Sequence, residues 1–353
     1  LYIGWRHPRL RGDEYWSFVD DFVASVKRLF PKVLLQWEDF AKSTSFRHLH
    51  THRDAIASFN DDILGTAAVS VAGLLCAMRL LNARLSDQTI VLLGAGSAGV
   101  GIASLIVDAM IEDGTDPADA RRSIYTLDSK GLVVQGRSGL DEHKQKFAVE
   151  PERMTAWGPK GDQIPLLEVV KRAKPTVLFG VSGQSGVFTE EIVRTMAAQV
   201  DQPIILPLSN PTSCAEARPV DIIHWTDGRA IVATGSPFDD VIYNGRRYRI
   251  GQGNNVFIFP GVGLGTIVAR ARKVTDGMFL AGARALAGCV ADDLLRLSSV
   301  YPAIDQVRIC SRVVAKAVAL RAVEEGVADP VEDLDEKLTM SMWEPRYLPY
   351  RPA

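Results

Sequence analysis

A chain of 353 residues, 47% of them hydrophobic, is long enough for two domains with a large buried core. Its formal net charge of −2 excludes the strongly basic surface of proteins that bind nucleic acid or anionic membranes. The four cysteines lie far apart in mostly apolar surroundings. They indicate buried thiols in a reducing compartment rather than a disulfide framework, and we expect a cytoplasmic protein.

The first part of the chain alternates two predicted helices with one short strand. It starts at Leu1, with neither an initiator methionine nor a signal-type segment, and we expect an N-terminal portion to be missing. Apolar residues at helical spacing predict an amphipathic helix over residues 12–30. "KVLLQWEDF" follows as a buried strand that ends at Glu38 and Asp39, and a second helix is predicted over residues 42–57.

A long apolar helix is predicted from Asp62 to about Asn82. Its apolar run is interrupted by Gly65, Gly73 and Arg79. No stretch therefore reaches the roughly 18 consecutive apolar residues of a membrane span, and we expect no membrane-spanning segment.

Short apolar strands alternate with helices from Gln88 onward, and the chain becomes mainly helical from about Phe257. The strands are "TIVLLGAG", "SIYTLDS", "TVLFGVS", "PIILPLSN" and "AIVATGS". Such alternation is typical of a parallel sheet with helices on both faces. The predicted fold class is α/β, with a doubly wound, Rossmann-like, mostly parallel sheet and a mixed, mainly helical second domain.

A glycine-rich turn matching G-x-G-x-x-G stands directly after the first of these strands and opens a predicted helix. In such a turn the backbone approaches a pyrophosphate, and the helix N-terminus supplies partial positive charge. A tight turn without a ligand has the same pattern, but the next strand ends on an acid, Asp128, where an adenine ribose would lie. The turn residues predicted to contact a dinucleotide are Gly94, Ala95, Gly96, Ser97, Ala98 and Gly99.

The charges around Asp128 bear on the choice between NAD and NADP. A carboxylate alone favours NAD through the ribose 2′-hydroxyl, whereas nearby cations accommodate the 2′-phosphate of NADP. Ser129 and Lys130 follow the acid, and Lys144 lies a short way downstream. These residues favour NADP. NAD is the alternative if both lysines are solvated surface residues.

Two pairs of adjacent carboxylates stand at the ends of predicted elements. Glu38 and Asp39 close a strand, and Asp61 and Asp62 precede a helix. Oxygen-rich sites of this kind suit a hard divalent cation such as Mg²⁺ or Mn²⁺. From spacing alone, solvated acids or a helix cap formed by Asn60 or Asp61 are the simpler interpretation.

Seven segments in series closely resemble the malic enzymes. They are "LQWEDF", "FNDDILGTAAV", "LSDQTIVLLGAGSAGVGIA", "LDSKGLVVQGR", "PLSNPTS", "ATGSPF" and "GQGNNVFIFPGVGLG". No single motif is unique, but the order and the coverage of most of the chain make the resemblance specific. It implies oxidation of malate at C2 by NADP or NAD, metal-assisted loss of CO₂ and release of pyruvate.

The resemblance also implies roles for the four acids. The family's metal ligands correspond to Glu38, Asp39 and Asp62, and the ion would be Mn²⁺ or Mg²⁺. Asp61 would lie close to a catalytic lysine and tune it. The resemblance thus favours a metal site where spacing alone does not.

Further roles implied by the resemblance concern substrate and cofactor. Asn210 would contact both malate and the nicotinamide region, and Asn255 would bind malate. Asn254 would contact the cofactor, and Lys144 aligns with the lysine that meets the 2′-phosphate of NADP.

The predicted domain organisation follows these roles. Residues 1–60 and 255–325 would form the substrate/metal domain, and residues 61–254 the dinucleotide-binding domain. Residues 326–353 would form a C-terminal tail, whose Pro-rich end we expect to pack through its aromatic side chains. Malate is the expected partner, with no nucleic acid and no membrane, and a homo-oligomer (dimer or tetramer) is expected because family members often form one.

Two alternative functions remain open. The family's general acid and base lie upstream of the first motif here, so we expect this chain to bind cofactor better than it turns over malate. A malolactic-type enzyme would release lactate without net reduction of the cofactor. A non-catalytic dinucleotide-binding domain would bind the cofactor without dependence on Mn²⁺.

Lys144→Ala is expected to weaken the binding of NADP more than that of NAD, because only NADP carries the phosphate that this lysine would neutralise. Dissociation constants of both cofactors, measured by calorimetry, test the expectation. Equal losses for the two cofactors would identify Lys144 as a surface residue.

Overall fold

The structure is a computed structural model that describes residues 4, 6–157, 163–347, 349 and 350. Parts of the predicted substrate/metal domain and of the predicted tail therefore lie outside the described residues, namely 1–3, 5, 348 and 351–353.

Helices and short strands alternate along most of the chain. The helices are α1 (Gly12–Leu29), α2 (Lys42–His52), α3 (Thr66–Leu81), α4 (Ser97–Glu112), α5 (Pro117–Arg122), α6 (Glu142–Gln145), α7 (Pro151–Met154), α8 (Leu166–Ala173), α9 (Glu190–Ala197), α10 (Pro219–Trp225), α11 (Phe259–Ala269), α12 (Asp276–Gly288), α13 (Asp292–Arg296), α14 (Val307–Glu324) and α15 (Leu334–Ser341). The strands are β1 (Leu35–Trp37), β2 (Ser58–Asn60), β3 (Ile90–Leu93), β4 (Ile124–Asp128), β5 (Gly131–Leu132), β6 (Val177–Gly180), β7 (Ile204–Pro207), β8 (Ile231–Thr234), β9 (Val241–Tyr243), β10 (Arg246–Tyr248) and β11 (Gly251–Gln252).

The central sheet has the strand order β11-β8-β7-β6-β3-β4-β5, and its neighbours are parallel except for the antiparallel pair β4 and β5. From β3 the chain moves outward to β4, then crosses to β6 and continues in the opposite direction through β7 and β8. This reversal makes the sheet doubly wound, which confirms the predicted fold class. Ligands of such sheets bind beyond the carboxyl ends of the strands, at the point where the order reverses.

Alternate residues of the sheet feed two separate apolar cores. Along β3, Ile90 and Leu92 belong to one core, and Val91 between them belongs to the other. Successive side chains of a strand point to opposite faces, so helices are needed on both sides. The first core also contains Phe279 and Val314 from the helical C-terminal region, which means that the two predicted domains share a continuous apolar interior.

The apolar helix predicted after Asp62 is the central helix of the first core. The 21 residues Asp61–Leu81 are long and apolar enough to cross a membrane, but 78% of the apolar window is buried inside the protein. α3 packs between α4 and α12. Burial on all sides by protein accounts for a composition that is apolar around the whole helix.

The prediction of a helix over residues 42–57 was wrong for residues 53–57. α2 ends at His52, and β2 follows it. The amide of Leu35 donates to the carbonyl of Ala57 at 2.9 Å, and β2 then pairs in parallel with β1. The sequence pattern predicted that the helix continues to residue 57. The pairing of β2 with β1 instead requires an extended backbone from Ala57 onward.

The predicted C-terminal tail contains helix α15, which packs on α11 and α14. Beyond it, the side chains of Trp343, Tyr347 and Tyr350 are exposed. The expectation that this end packs through its aromatic side chains was therefore wrong.

Gly73→Ala is expected to lower the free energy of unfolding by about 1–3 kcal/mol through overpacking. An added Cβ at Gly73 would come within 3.0 Å of the ring and hydroxyl of Tyr301, whose side chain is 1% exposed and whose hydroxyl donates to the carbonyl of Val69 at 2.8 Å. The ring is buried and held by this hydrogen bond, so it has little freedom to move aside.

The matched control is Gly288→Ala, at the exposed end of α12, where an added Cβ meets no atom of the described chain within 4 Å. This variant should gain up to about 1 kcal/mol, because alanine loses less backbone entropy than glycine in a helix. Urea denaturation of both variants measures the difference. Equal changes in the free energy of unfolding would show that the contact with Tyr301 does not destabilise the Gly73→Ala variant.

Candidate active site

The two acidic pairs are brought together by the parallel pairing of β1 and β2. Trp37, the last residue of β1, lies opposite Asn60, the last residue of β2. Parallel strands leave a sheet on the same side, so the pair after β1 and the pair after β2 emerge next to each other. The sequence analysis did not predict β2, so it gave no structural reason for the two acidic pairs to lie next to each other.

The three residues predicted as metal ligands converge in this structure. One carboxylate oxygen each from Glu38, Asp39 and Asp62 lies within 4.8 Å of the other two. The amide of Asp39, a residue in the left-handed conformation with φ 58°, donates to Oδ2 of Asp62 at 3.0 Å. Burial raises the pKa of the Asp62 carboxyl, and the negative charge of Glu38 raises it further. A set of carboxylate oxygens at this spacing fits a hard divalent cation, which would offset their repulsion.

Asp61 is set apart from these three acids by its burial. Its side chain is 2% exposed, and its Oδ2 accepts a hydrogen bond from Nδ2 of Asn255 at 2.9 Å. Oδ1 has no hydrogen-bond partner among the described residues. Burial raises the pKa of Asp61 to about 7, and the charges of Glu38 and Asp62 act in the same direction against the hydrogen bond from Asn255. Within the described chain, the side-chain hydrogen-bond donor to the Asp61 carboxylate is thus an amide rather than a lysine.

The backbone turn that carries Asp61 and Asp62 is π-helical, over Asp61–Gly65. The side chain of Asn60 caps this turn by accepting from the amide of Ile63 at 3.0 Å. Because Asn60 is the cap, neither aspartate is used for that purpose.

The π-helical turn lies directly against the helix that follows the glycine turn. A Cβ added at Gly101 in α4 would come within 3.0 Å of the carbonyl oxygen of Ile63. Nearer the start of α4, the hydroxyls of Ser45 and Ser97 lie 3.2 Å apart. The turn that carries Asp61 and Asp62 therefore contacts the helix that the glycine turn opens.

The glycine turn has the conformation that its motif predicts. Gly94 has φ 119°, and an added Cβ would come within 3.0 Å of the carbonyl of Val181. A Cβ at Gly99 would meet the carbonyl of Gly94, whereas one at Gly96 would meet no atom of the described chain within 4 Å. The first and third glycines are thus required by packing, and the second leaves the backbone open to close approach, which fits a pyrophosphate. Ala95 is buried in the turn, and Ser97, Ala98 and Gly99 form the first turn of α4.

The acid at the end of β4, Asp128, is held by two cations. Its Oδ2 accepts hydrogen bonds from Arg137 at 2.5 Å and from Nζ of Lys144 at 2.6 Å, and its Oδ1 accepts from the amide of Lys130 at 2.9 Å. Burial by itself raises the pKa of Asp128, but these hydrogen bonds outweigh it and hold the pKa below its ordinary value. The side chains of Ser129 and Lys130 are exposed.

Arg137 is a site residue that sequence reasoning missed. Its guanidinium also donates to the carbonyls of Gly131 and Leu132, so it ties the hairpin after β4 to the acid. The available signal was its position as the last residue of the segment "LDSKGLVVQGR".

The three predicted asparagines occupy different parts of the site. Oδ1 of Asn210, just beyond β7, accepts from the hydroxyl of Ser236 at 2.6 Å. Oδ1 of Asn254 accepts from the amide of Val256 at 2.9 Å and caps a short turn. Asn255 donates to Asp61 and so links the C-terminal helical region to the acidic turn.

The histidines of α2 confirm that residues two apart do not share a helix face. His48 and His52 stand beside Trp37, with ring centroids 4.8 and 5.6 Å away. His50 lies on the other face, 5.8 Å from the ring of His143. Trp37 is buried in this aromatic cluster.

A doubly wound sheet with a glycine turn at its switch point and an acid at the end of the next strand is the arrangement of dinucleotide-binding dehydrogenases. Comparison with known protein families identifies the family to which this chain belongs. A family model described as the malic enzyme, NAD binding domain matches residues 63–323, and one described as the malic enzyme, N-terminal domain matches residues 1–53. The chain belongs to the malic enzyme family.

Known relatives agree with this assignment. The chain is 48% identical over 353 residues to the NAD-dependent malic enzyme of Photorhabdus laumondii and 47% identical over 355 residues to that of Acinetobacter baylyi. Each comparison covers 99% of this chain and 62% of the relative, so the chain spans about three fifths of their length. The crystal structure of Entamoeba histolytica malic enzyme superposes with a TM-score of 0.73 at 26% identity, over 91% of this chain and 60% of that chain. The named sequence relatives are NAD-dependent and give no support to the predicted preference for NADP.

Arg137→Met is expected to lower the free energy of unfolding at neutral pH by about 1–3 kcal/mol, because a buried charge-assisted hydrogen bond to Asp128 is lost. The folded pKa of Asp128 is depressed, so its stabilisation is present above the ordinary value of about 3.9 and is lost as the pH falls through the folded value. The destabilisation should therefore shrink below about pH 4. Denaturant midpoints at neutral and acidic pH measure it.

Arg122→Met serves as a control, because the only ion pairs of the Arg122 side chain with described residues are long, 3.8 Å to Asp119 and 3.7 Å to Glu150 at the surface. It should change the free energy of unfolding by no more than about 0.5 kcal/mol at either pH. An Arg137→Met effect that is the same at both pH values would assign the loss to packing rather than to charge.

Proposed function

We propose that the protein is an NAD-dependent malic enzyme, which oxidises malate, removes CO₂ with the help of a divalent metal and forms pyruvate. The observation that carries the proposal is the convergence of Glu38, Asp39 and Asp62 within 4.8 Å, at a turn that contacts the helix opened by a Rossmann-type glycine turn. Membership of the malic enzyme family and the NAD-dependent relatives support it.

The three converging carboxylates would hold Mn²⁺ or Mg²⁺. When bound, the ion would supply a Lewis acid for the oxidation of malate and for the loss of CO₂. The amide of Asp39 orients the Asp62 carboxylate through its 3.0 Å hydrogen bond. Asp61 is buried, and one of its oxygens has no hydrogen-bond partner in the described chain; it is the proposed catalytic residue of this turn, in the role of tuning a lysine.

The cofactor would lie along the carboxyl edge of the sheet. Backbone amides of residues 94–99 and the N-terminus of α4 would bind the pyrophosphate, and Asp128 would face the adenine ribose. NAD is proposed over NADP because the ammonium of Lys144 is already engaged by Asp128 at 2.6 Å. It would have to leave this carboxylate to meet a 2′-phosphate.

Malate would be oriented by uncharged amides. Asn210 and Asn255 are the proposed substrate contacts, with Asn210 and Asn254 also near the cofactor. Amide groups can hold a carboxylate without adding charge that competes with the metal. The hydroxyl of Ser236 bonds to the carbonyl oxygen of Asn210, which fixes the side-chain amide with its nitrogen on the other side.

Three further proposals concern the location of the protein, its oligomeric state and its domains. Cytoplasmic location is proposed because all four cysteines are free thiols. A homo-oligomer is proposed because exposed apolar residues lie at helical spacing on α1 and α14, including Phe18 with Phe22 and Ile309 with Val313. A monomeric mass in light scattering at micromolar concentration would contradict the second. The two-domain division at residues 61 and 254 likewise stands as a proposal.

Asp62→Asn is expected to weaken Mn²⁺ binding by at least about tenfold, because the variant loses one of three anionic oxygen ligands. The affinity for NAD should stay within about threefold, since the glycine turn is unchanged. The control is Asp54→Asn, at an exposed carboxylate paired with Lys273 at 3.2 Å, which should alter neither affinity. Calorimetric titration with Mn²⁺ and with NAD measures both.

Unchanged Mn²⁺ binding by Asp62→Asn would remove this residue from the metal site and overturn the proposed arrangement. Product analysis with malate, NAD and Mn²⁺ separates the remaining alternatives. Pyruvate with NADH supports the proposal, and lactate without net NADH indicates a malolactic-type reaction.

A further inference from the structure

Glu216 is a fully buried carboxylate that the proposed chemistry does not use. Its side chain is 0% exposed, and it follows a short helical turn, Thr212–Cys214, beyond β7. Burying a carboxylate is costly unless its oxygens are satisfied by donors. The hydrogen-bond partners of Glu216 therefore show which parts of the chain this buried carboxylate holds in place.

Among the described residues, every hydrogen bond to the Glu216 carboxylate is donated by one of two serines. Oε1 accepts from the amide of Ser182 at 2.9 Å, from the hydroxyl of Ser182 at 2.9 Å and from the hydroxyl of Ser209 at 2.5 Å. Oε2 accepts from the amide of Ser209 at 3.4 Å. Ser182 follows β6 and Ser209 follows β7, so one carboxylate connects two adjacent loops.

The two serine hydroxyls extend this connection into the backbone of the loop after β6. The hydroxyl of Ser209 accepts from the amide of Gly183 at 2.9 Å, and that of Ser182 accepts from the amide of Gln184 at 3.2 Å. Each hydroxyl donates to Glu216 and accepts from the loop, so its direction is determined by the carboxylate.

The main chain beside Glu216 holds the far end of the same loop. The carbonyl of Glu216 accepts from the amide of Phe188 at 3.0 Å, and that of Ala215 accepts from the amide of Gly186 at 3.2 Å. A Cβ added at Gly180, the last residue of β6, would come within 3.0 Å of the Glu216 side chain. Residues 181–188 are thus anchored at both ends by one short segment.

These loops border the dinucleotide crevice. The first touches the glycine turn, because a Cβ at Gly94 would come within 3.0 Å of the Val181 carbonyl. The second continues from Ser209 into Asn210, one of the proposed contacts to malate and nicotinamide. Both stand at the carboxyl ends of strands next to the switch point of the sheet.

We propose that Glu216 is a positioning residue, whose buried carboxylate sets the spacing of the loops after β6 and β7 at the nicotinamide end of the cofactor site. The inference rests on the proposed dinucleotide function. Misplacement of a cofactor or substrate contact by about 1 Å is enough to impair binding and catalysis. Removing the carboxylate leaves four donors without an acceptor, and the loops must shift to find new partners.

The test compares two variants of Glu216 with a control elsewhere in the domain. Glu216→Ala removes both acceptor oxygens, whereas Glu216→Gln keeps one oxygen that can take the three donors of Oε1. The control is Thr226→Val, a buried residue that precedes β8, at the amino ends of the parallel strands, whereas the two loops held by Glu216 follow the carboxyl ends. Its hydroxyl donates to Ile222 at 2.8 Å and accepts from the amide of Ala230 at 3.3 Å, so this variant also loses buried hydrogen bonds.

Two measurements on the 353-residue chain are expected to agree. Glu216→Ala should weaken NAD binding by about tenfold or more, with Glu216→Gln within about threefold of wild type and Thr226→Val unchanged. Without cofactor, hydrogen exchange at the amides of residues 182–184 should accelerate in Glu216→Ala and remain near wild type in the other two variants.

The proposal is overturned if Glu216→Ala exchanges and binds NAD like Thr226→Val. An equal loss in Glu216→Gln and Glu216→Ala would also overturn it, because the oxygen acceptor would not be the cause. A wild-type chain that binds no NAD would instead overturn the proposed function, whereas exchange without cofactor would still report on the connection between the loops.

Discussion

The arrangement of the acidic centre depends on the parallel pairing of β1 and β2, two strands of three residues each. Glu38 and Asp62 are 24 positions apart in sequence, and no helix periodicity relates them. The ladder from Leu35–Ser58 to Trp37–Asn60 brings them to the same edge. Packing of Trp37 in an aromatic cluster supports this short ladder, which has few hydrogen bonds of its own. The repulsion between the converged carboxylates is opposed by tertiary structure, not by neighbours in sequence.

Three carboxylates in and around the crevice are accommodated in three different ways. Asp128 is neutralised by Arg137 and Lys144, and its pKa falls. Glu216 is surrounded by hydroxyl and amide donors. Asp61 receives one amide hydrogen bond and its pKa rises to about 7. Charge partners thus hold the pKa of Asp128 below its ordinary value, whereas burial with a single amide donor raises that of Asp61.

Much of the fold followed from local patterns, because five of the seven strands of the central sheet lie in apolar runs and the glycine turn stands between such a run and a helix. The two-residue strands β5 and β11 carry no such pattern and were missed. β2 was missed because "SFN" is too short to carry a periodicity, and its conformation is imposed by β1. Arg137 and Glu216 were missed for a related reason, since their partners lie on other segments. The convergence of the acids was expected only from family resemblance, because adjacent acids alone are equally compatible with solvent exposure.

The contact between Gly101 and the carbonyl of Ile63 has a consequence for the geometry of the whole crevice. One backbone carries the acidic turn, the other follows the glycine turn, and Gly101 contributes no side chain at their contact. The absence of a side chain at Gly101 therefore determines how closely the two backbones can approach. A larger residue at this position would move the acidic turn away from α4 and would widen the crevice between them.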